Sequence, residues 1–270
     1  MSNLSEPTAT LDLNALQGIV DLSAYPIDDP AFRARCRQTL EQTGALVLPG
    51  FMKPEAVEQV KQEGLTKQHL AHYTDKQHNV YLSESDSSFP EDHPRNASVT
   101  SSKGCITDDI IGQQSPLRIL YNAEDFRDFL GDVLEETLYE YADSLSSINL
   151  HYASEGQELG WHFDNSSFAT TLLIQKPAGG GVFEYVENLR DADSGDMNFE
   201  GVSRVLAGEI VPKKLSMEPG ALVLFRGRNA IHRVTPTEGG ITRMLVVLAY
   251  NNQPGVALSE NARMTFYGRL

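Results

Sequence analysis

Cysteine is scarce in this chain: Cys36 and Cys105 are the two among 270 residues. They form no metal-binding or redox spacing, and such sparse usage suits a reducing compartment. Cys36 follows Phe32 by four and precedes Leu40 by four, so it is expected to pack on a helix face. Positive charge is also in deficit. Lys and Arg number 22 against 37 Asp and Glu, a formal net charge of −15. That argues against nucleic acid or an anionic membrane as the main partner, because both demand basic surface. No apolar run approaches the roughly 18 residues needed to span a bilayer. The stretch 1–11 is polar, with no cationic region leading into an apolar one, so no signal peptide is expected. Repeats, low-complexity tracts and Pro/Gly/Ser linkers are missing too. These absences predict a cytoplasmic chain; they leave its oligomeric state open.

What the sequence does contain is enough apolar residue to build a sizeable core, 40% of the chain. A single domain over 1–270 is expected, with a loose tail over 1–12, helical support and a lid over about 13–145, and a β-rich core over about 146–270. The first helix is well punctuated. Asp29 is placed to cap it, Pro30 takes the first helical position and Gly44 stands just past its end. Ala45–Leu48 reads as a short buried strand, and a second helix is expected from near Pro54. The stretch Ser83–Ser102 is polar and rich in turn formers, as expected of a lid or binding loop. Phe126, Phe129, Leu130, Val133, Leu134, Leu138 and Tyr141 recur at helical spacing, which predicts one long helix over Ala123–Leu145. Beyond residue 147 short β-rich runs take over, separated by Gly, Pro and Asn clusters. Helices come first and strands second, which favours an antiparallel sandwich or barrel over a parallel doubly wound sheet.

Within that β-rich half stands His162-Phe163-Asp164, followed at a distance by His232. Side chains two apart on an extended segment point the same way, so His162 and Asp164 can reach one ion. Two imidazoles and one carboxylate can cap one face of an octahedral metal and leave the opposite positions open, the arrangement of non-heme Fe(II) oxygenases. A His-x-Asp triplet alone is weak evidence; its neighbours add the weight. Of the other histidines, His69, His72 and His78 lie in a polar helix-to-loop region and read as surface residues. His151 has no ligand-like spacing to a partner.

The ordered set Trp161-His162-Phe163-Asp164, Gly181-Val182-Phe183-Glu184-Tyr185, Pro219-Gly220-Ala221-Leu222-Val223-Leu224-Phe225, Ile231-His232-Arg233-Val234 and Arg243 resembles the Fe(II)/2-oxoglutarate-dependent dioxygenase superfamily. The strings WHFDN, GGGVFEY and LFRGRNAIHRV look most like its bacterial branch of free amino acid hydroxylases and halogenases. The resemblance implies a double-stranded β-helix (a cupin-like jelly roll, mainly β with supporting helices). It also implies Fe(II) held by His162, Asp164 and His232, with 2-oxoglutarate and O2 as cosubstrates and a small-molecule substrate.

Arg243 heads the apolar run Met244–Ala249, where a guanidinium is costly to bury unless an anion meets it. In the resembled family a basic residue at this offset binds the distal carboxylate of 2-oxoglutarate; Tyr152, Thr235 and Thr242 are candidate hydroxyl partners. Halogenases of the branch carry Gly or Ala where this chain has Asp164, so hydroxylation is the expected outcome. Desaturation, cyclisation or epimerisation at the same iron stays open, as do a cupin-type metalloenzyme with another metal and a non-catalytic sensor. Candidate substrate contacts are His93, Arg95, Asn165, Phe168 and Arg228, each with a plain structural alternative: His93 and Arg95 as loop caps, Arg228 in a surface ion pair.

Overall fold

Helix α1 (Pro30–Thr43) forms where its punctuation predicts: the Asp29 side chain accepts from the Ala31 amide at 2.8 Å, and Gly44 closes the end in the left-handed region at φ 68°. Its buried stripe is Phe32, Cys36 and Leu40. Strand β1 (Ala45–Leu48) and helix α2 (Pro54–Lys67) follow, the latter burying Ala56, Val57 and Val60. The computed structural model describes residues 15–270, so the tail expected over 1–12 lies outside the described residues.

The segment expected as loop up to Ser102 contains more order than its composition suggests. Strand β2 (His72–Asn79) and strand β3 (Ser98–Ile106) pair antiparallel along their whole length, His72 opposite Cys105 and Asn79 opposite Ser98. Only the connection between them is irregular. The long helix expected over Ala123–Leu145 is also cut. Helix α3 (Pro116–Asn122) precedes that stretch, helix α4 (Glu124–Leu134) takes its first half, and Glu135 ends α4 in the left-handed region at φ 59°. Leu138 and Leu145 remain buried beyond that stop. Turns bury them, and their spacing imitates a continued helical stripe. After strand β4 (Tyr139–Glu140) come β5 (Ile148–Ala153), β6 (Leu159–His162), β7 (Ala169–Gln175), β8 (Gly179–Gly180) and β9 (Phe183–Val186). Helix α5 (Phe199–Leu206) follows β9 and buries Val202 and Val205. Strands β10 (Lys213–Leu215), β11 (Leu222–Phe225), β12 (Ile231–Val234), β13 (Thr237–Glu238), β14 (Arg243–Leu248) and β15 (Tyr250–Asn251) and helix α6 (Glu260–Tyr267) complete the order.

The main sheet runs β1-β11-β7-β14-β5-β3-β6-β12-β9-β10, with β2 added beside β3, and every pair is antiparallel. It curls so that β6, β12, β9 and β10 face the longer strands, giving the double-stranded β-helix expected of a jelly roll. The division at residue 145 does not describe it, since β1, β2 and β3 come from the first half of the chain.

Alternation along the strands separates two environments. On β5, Ile148, Leu150 and Tyr152 join a large core shared with α1, α2, α3 and α4, while His151 faces the interior of the curl. On β14, Met244 and Val246 join that core, while Arg243, Leu245 and Val247 face inward. Phe126, Phe129 and Leu130 of α4 are fully buried, and Phe129 stacks on Phe32 of α1 with centroids 5.8 Å apart. Phe129→Ala should therefore lower the unfolding free energy by about 3–5 kcal/mol, read from the denaturant midpoint. A loss below about 1 kcal/mol would show that the helical layer does not support the sheet.

Candidate metal centre

Strand β12 pairs with β6 so that His232 lies directly opposite His162. Both histidines are buried, with ring centroids 4.1 Å apart. Each is oriented by the same local bond. His162 Nδ1–H donates to the Gly160 carbonyl at 2.8 Å, and His232 Nδ1–H donates to the Ala230 carbonyl at 2.9 Å. With Nδ1 committed as a donor, each Nε2 keeps its lone pair for an ion. Asp164 sits just past the end of β6. Its Oδ1 lies 3.7 Å from His162 Nε2 and 3.5 Å from His232 Nε2. Ligands about 2.1 Å from an octahedral ion are separated by edges of about 3 Å, so small side-chain movements would close the triad on a metal.

The carboxylate is held in place from behind. The Asp164 amide donates to the Gly227 carbonyl at 3.1 Å, and a Cβ on Gly227 would fall 1.9 Å from Asp164 Oδ2. Gly227 is therefore needed for space. Around the imidazoles, Phe183 and Phe225 close one side, with centroids 5.5 and 4.9 Å from His232. Burial, reinforced by His232, pulls the His162 pKa down to about 3. Burial pushes Asp164 up, but the charge and hydrogen bond of His232, followed by His162 and Lys103, outweigh it and leave Asp164 at about 2. A neutral His162 and an ionised Asp164 are the forms a metal needs.

The triad opens into a cavity of about 830 Å³ enclosed by the curl of the sheet. Arg243 lines it, with its guanidinium buried and Nη2 without a hydrogen-bond partner. Burial draws its pKa down to about 10, which leaves it charged at neutral pH. Gly181, at φ 60°, presses its backbone against the side chain; a Cβ there would lie 3.0 Å from Arg243 Cδ. An orphaned, charged donor facing a cavity fits an anionic ligand.

The other sequence expectations divide. Asn165 and Phe168 line the cavity close to the triad. Tyr152 does not face it: its side chain lies on the opposite face of β5 and its hydroxyl donates to the Gly64 carbonyl on α2 at 2.8 Å. Thr235 is also spent elsewhere, its hydroxyl accepting from the Val182 amide at 3.0 Å, and Thr242 lies beside Ser154 at 3.2 Å. His93 stacks on Phe89 at 4.4 Å and accepts from the Arg95 amide, away from the cavity lining. Arg95 is likewise off that lining. Arg228 pairs with Asp193 at 2.8 Å, the surface ion pair weighed against its substrate role. Of three further lining residues, His78 and His151 were given no site role in the sequence reading and Lys103 escaped it. His78 packs edge-on to His162 and bonds Ser101, while His151 and Lys103 meet deep in the cavity at 3.3 Å. Alternation of Ser101, Lys103 and Cys105 would have found Lys103, had 98–106 been read as a strand.

Among the described residues, His162, Asp164 and His232 are the one cluster of three or more His, Cys, Asp or Glu able to hold a metal. No helix is long and apolar enough to cross a membrane among those residues. The family model described as "HalD: Halogenase D" matches residues 28–264. No curated protein sequence matches the chain. Three solved structures share the fold at low identity. The epimerase SnoN from nogalamycin biosynthesis has 11% identity and a TM-score of 0.57, covering 83% of this chain and 82% of its own. A prolyl hydroxylase from Trichoplax adhaerens, bound to a hypoxia inducible factor peptide, has 13% identity and a TM-score of 0.54, covering 92% and 94%. A Pseudomonas putida prolyl-4-hydroxylase has 15% identity and a TM-score of 0.51, covering 80% and 96%.

Two outcomes follow from the geometry. Gly227→Ala should displace the Asp164 carboxylate and weaken Mn(II) binding roughly 10–100-fold, measured by titration of the metal-free protein; unchanged affinity would remove Gly227 from the support of the site. The second concerns acid. Between the ordinary histidine value of 6.5 and about 3, the unfolded chain binds a proton at His162 that the folded, metal-free chain refuses. Stability therefore falls as pH is lowered through that window, by up to about 1.4 kcal/mol per pH unit for one proton. Asp164 extends the loss in the same direction from 3.8 to about 2. His162→Asn should flatten the slope between pH 6 and about 4, and an unchanged slope would contradict the burial argument.

Proposed function

The chain belongs to the halogenase D family, and from that premise we propose that it is a hydroxylase rather than a halogenase. Its expected substrate is a small polar metabolite, a free amino acid or a derivative, attacked at an unactivated C–H bond. The observation that carries this reading is Asp164, a carboxylate set against both imidazoles where halogenases of the resembled branch have Gly or Ala. With Asp164 on the metal, the position those enzymes leave for a halide is filled.

In this reading His162, Asp164 and His232 hold Fe(II), and Arg243 grips the distal carboxylate of 2-oxoglutarate with its planar fork. Dioxygen is the oxidant, which bound iron would activate with two electrons from 2-oxoglutarate, and the overall change is R–H + 2-oxoglutarate + O2 → R–OH + succinate + CO2. The chain contributes position, charge and exclusion of water. The carbonyls of Gly160 and Ala230 fix both imidazoles in the tautomer that binds metal. Phe183 and Phe225 shield one side of the ligand set. A cavity of about 830 Å³ leaves room beside 2-oxoglutarate for a molecule of amino-acid size. Its mouth is polar, with Asn79, Glu84, Asn96, Asn165 and Ser166 in the lining, which suits a substrate carrying charges and hydrogen-bonding groups. The connection 80–97 between β2 and β3 supplies Leu82, Ser83, Glu84, Ser85 and Asn96 to that lining and so is placed to cover a bound substrate.

A mass-spectrometric screen over free amino acids and small metabolites, with Fe(II), 2-oxoglutarate and ascorbate, should give a product with one added oxygen atom and an equal amount of succinate. Desaturation, cyclisation and epimerisation would show other mass changes or none, still with succinate, whereas a sensor or a cupin-type enzyme would form no succinate. Asp164→Ala should abolish hydroxylation; retained hydroxylation would remove Asp164 from the metal and with it the ground for the reading.

A further inference from the structure

Among the described residues Lys103 and Lys76 are the lysines of the cavity lining, Lys76 exposed and Lys103 part-buried, and nothing in the reading above uses Lys103. It lies on β3, which stands between β5 and β6 in the sheet, so it faces inward where the two walls of the curl meet. Its Nζ donates to His151 Nδ1 at 3.3 Å. Among the described residues no carboxylate lies within ion-pair distance of it, and the same holds for Arg243. Burial draws the lysine pKa down, opposed by Cys105 and Asp164. His151 is held well below its ordinary value by burial and by the charges of Lys103 and Arg243 together, which keeps it a neutral acceptor for the ammonium. Two cations thus share one end of the cavity, and Asp164 and Glu84 are the carboxylates of its lining, Glu84 exposed at the mouth. Two enclosed positive charges without protein anions are costly, and a ligand with two negative charges relieves that cost.

We infer that Lys103, steered by His151, is a second cationic anchor for the dicarboxylate cosubstrate in the cavity that Arg243 and the triad also line. The assignment rests on the 2-oxoglutarate reading of the site. Arg243 alone would select for one carboxylate. A second cation at the same end adds charge and a second hydrogen-bond donor for that carboxylate, which sets the orientation of the cosubstrate toward the triad.

The test is direct binding, without turnover. Calorimetric titration of 2-oxoglutarate into the Mn(II)-loaded protein should show affinity reduced tenfold or more in Lys103→Met. Mn(II) affinity should stay within twofold of the unaltered chain, and Lys103→Arg should recover part of the loss. Thermal melting checks that the variant folds; if Lys103→Met does not, Lys103→Gln is judged by the same criterion. Unchanged 2-oxoglutarate affinity in a folded variant overturns the inference. So does a variant that binds 2-oxoglutarate normally but loses affinity for the hydroxylated substrate, which would assign Lys103 to that molecule. Failure of the unaltered Mn(II)-loaded chain to bind 2-oxoglutarate would instead overturn the cosubstrate reading on which this one stands.

Discussion

The antiparallel pairing of β12 with β6 is the constraint on which the rest of the site depends. It sets His232 opposite His162, and each ring is then fixed by a hydrogen bond to the carbonyl two residues earlier on its own chain segment. Because those bonds are local, strand geometry alone determines which nitrogen faces the centre. Asp164 needs more: it lies beyond the strand and is positioned by the backbone and the bare Cα of Gly227. A register slip of one residue on either strand would turn an imidazole to the outer face. Trp161 on β6 and Ile231 on β12, which alternate with the two histidines, are locked into a second core with Val202 and Val205 of α5, and that packing resists such a slip.

Charge in the cavity is arranged along its length. Asp164 and the imidazoles form an electron-rich centre, while Arg243 and Lys103 leave one end with positive charge that no protein carboxylate neutralises. An apolar cavity would be cheaper to fold. Placing two cations in this one costs stability, and the polar mouth carries Glu84 as its carboxylate.

The site was more legible in the sequence than its surroundings were. His162, Asp164 and His232 could be named because the ordered motifs around them resemble a known family, and Arg243 because a charge heading an apolar run needs an explanation. The caps of α1 and the strand Ala45–Leu48 were also readable, since Asp29, Pro30 and Gly44 act locally. Where sequence reasoning failed, long-range packing decided. Leu138 and Leu145 continue a helical spacing that Glu135 interrupts, because turns can bury residues at the same interval. Ser98–Ser102, the end of the stretch expected as loop, reads as polar because its inward face lines a polar cavity instead of an apolar core, and this concealed Ser101 and the strand that carries Lys103. Tyr152 was chosen as a hydroxyl near Arg243, but its place on β5 sends it to the helix side, where it binds Gly64. Parity along the strand decides such a question, and parity is known only when the register is.

The central claim is that His162, Asp164 and His232 form one iron site that also engages a 2-oxoacid. Anaerobic titration of Fe(II) into the metal-free chain with 2-oxoglutarate present, followed by visible absorption, tests it most directly. The account predicts a charge-transfer band that saturates at one iron per chain and is lost when His162 and His232 are both replaced by Ala. No band in the unaltered chain, or a band that survives the double replacement, would contradict it.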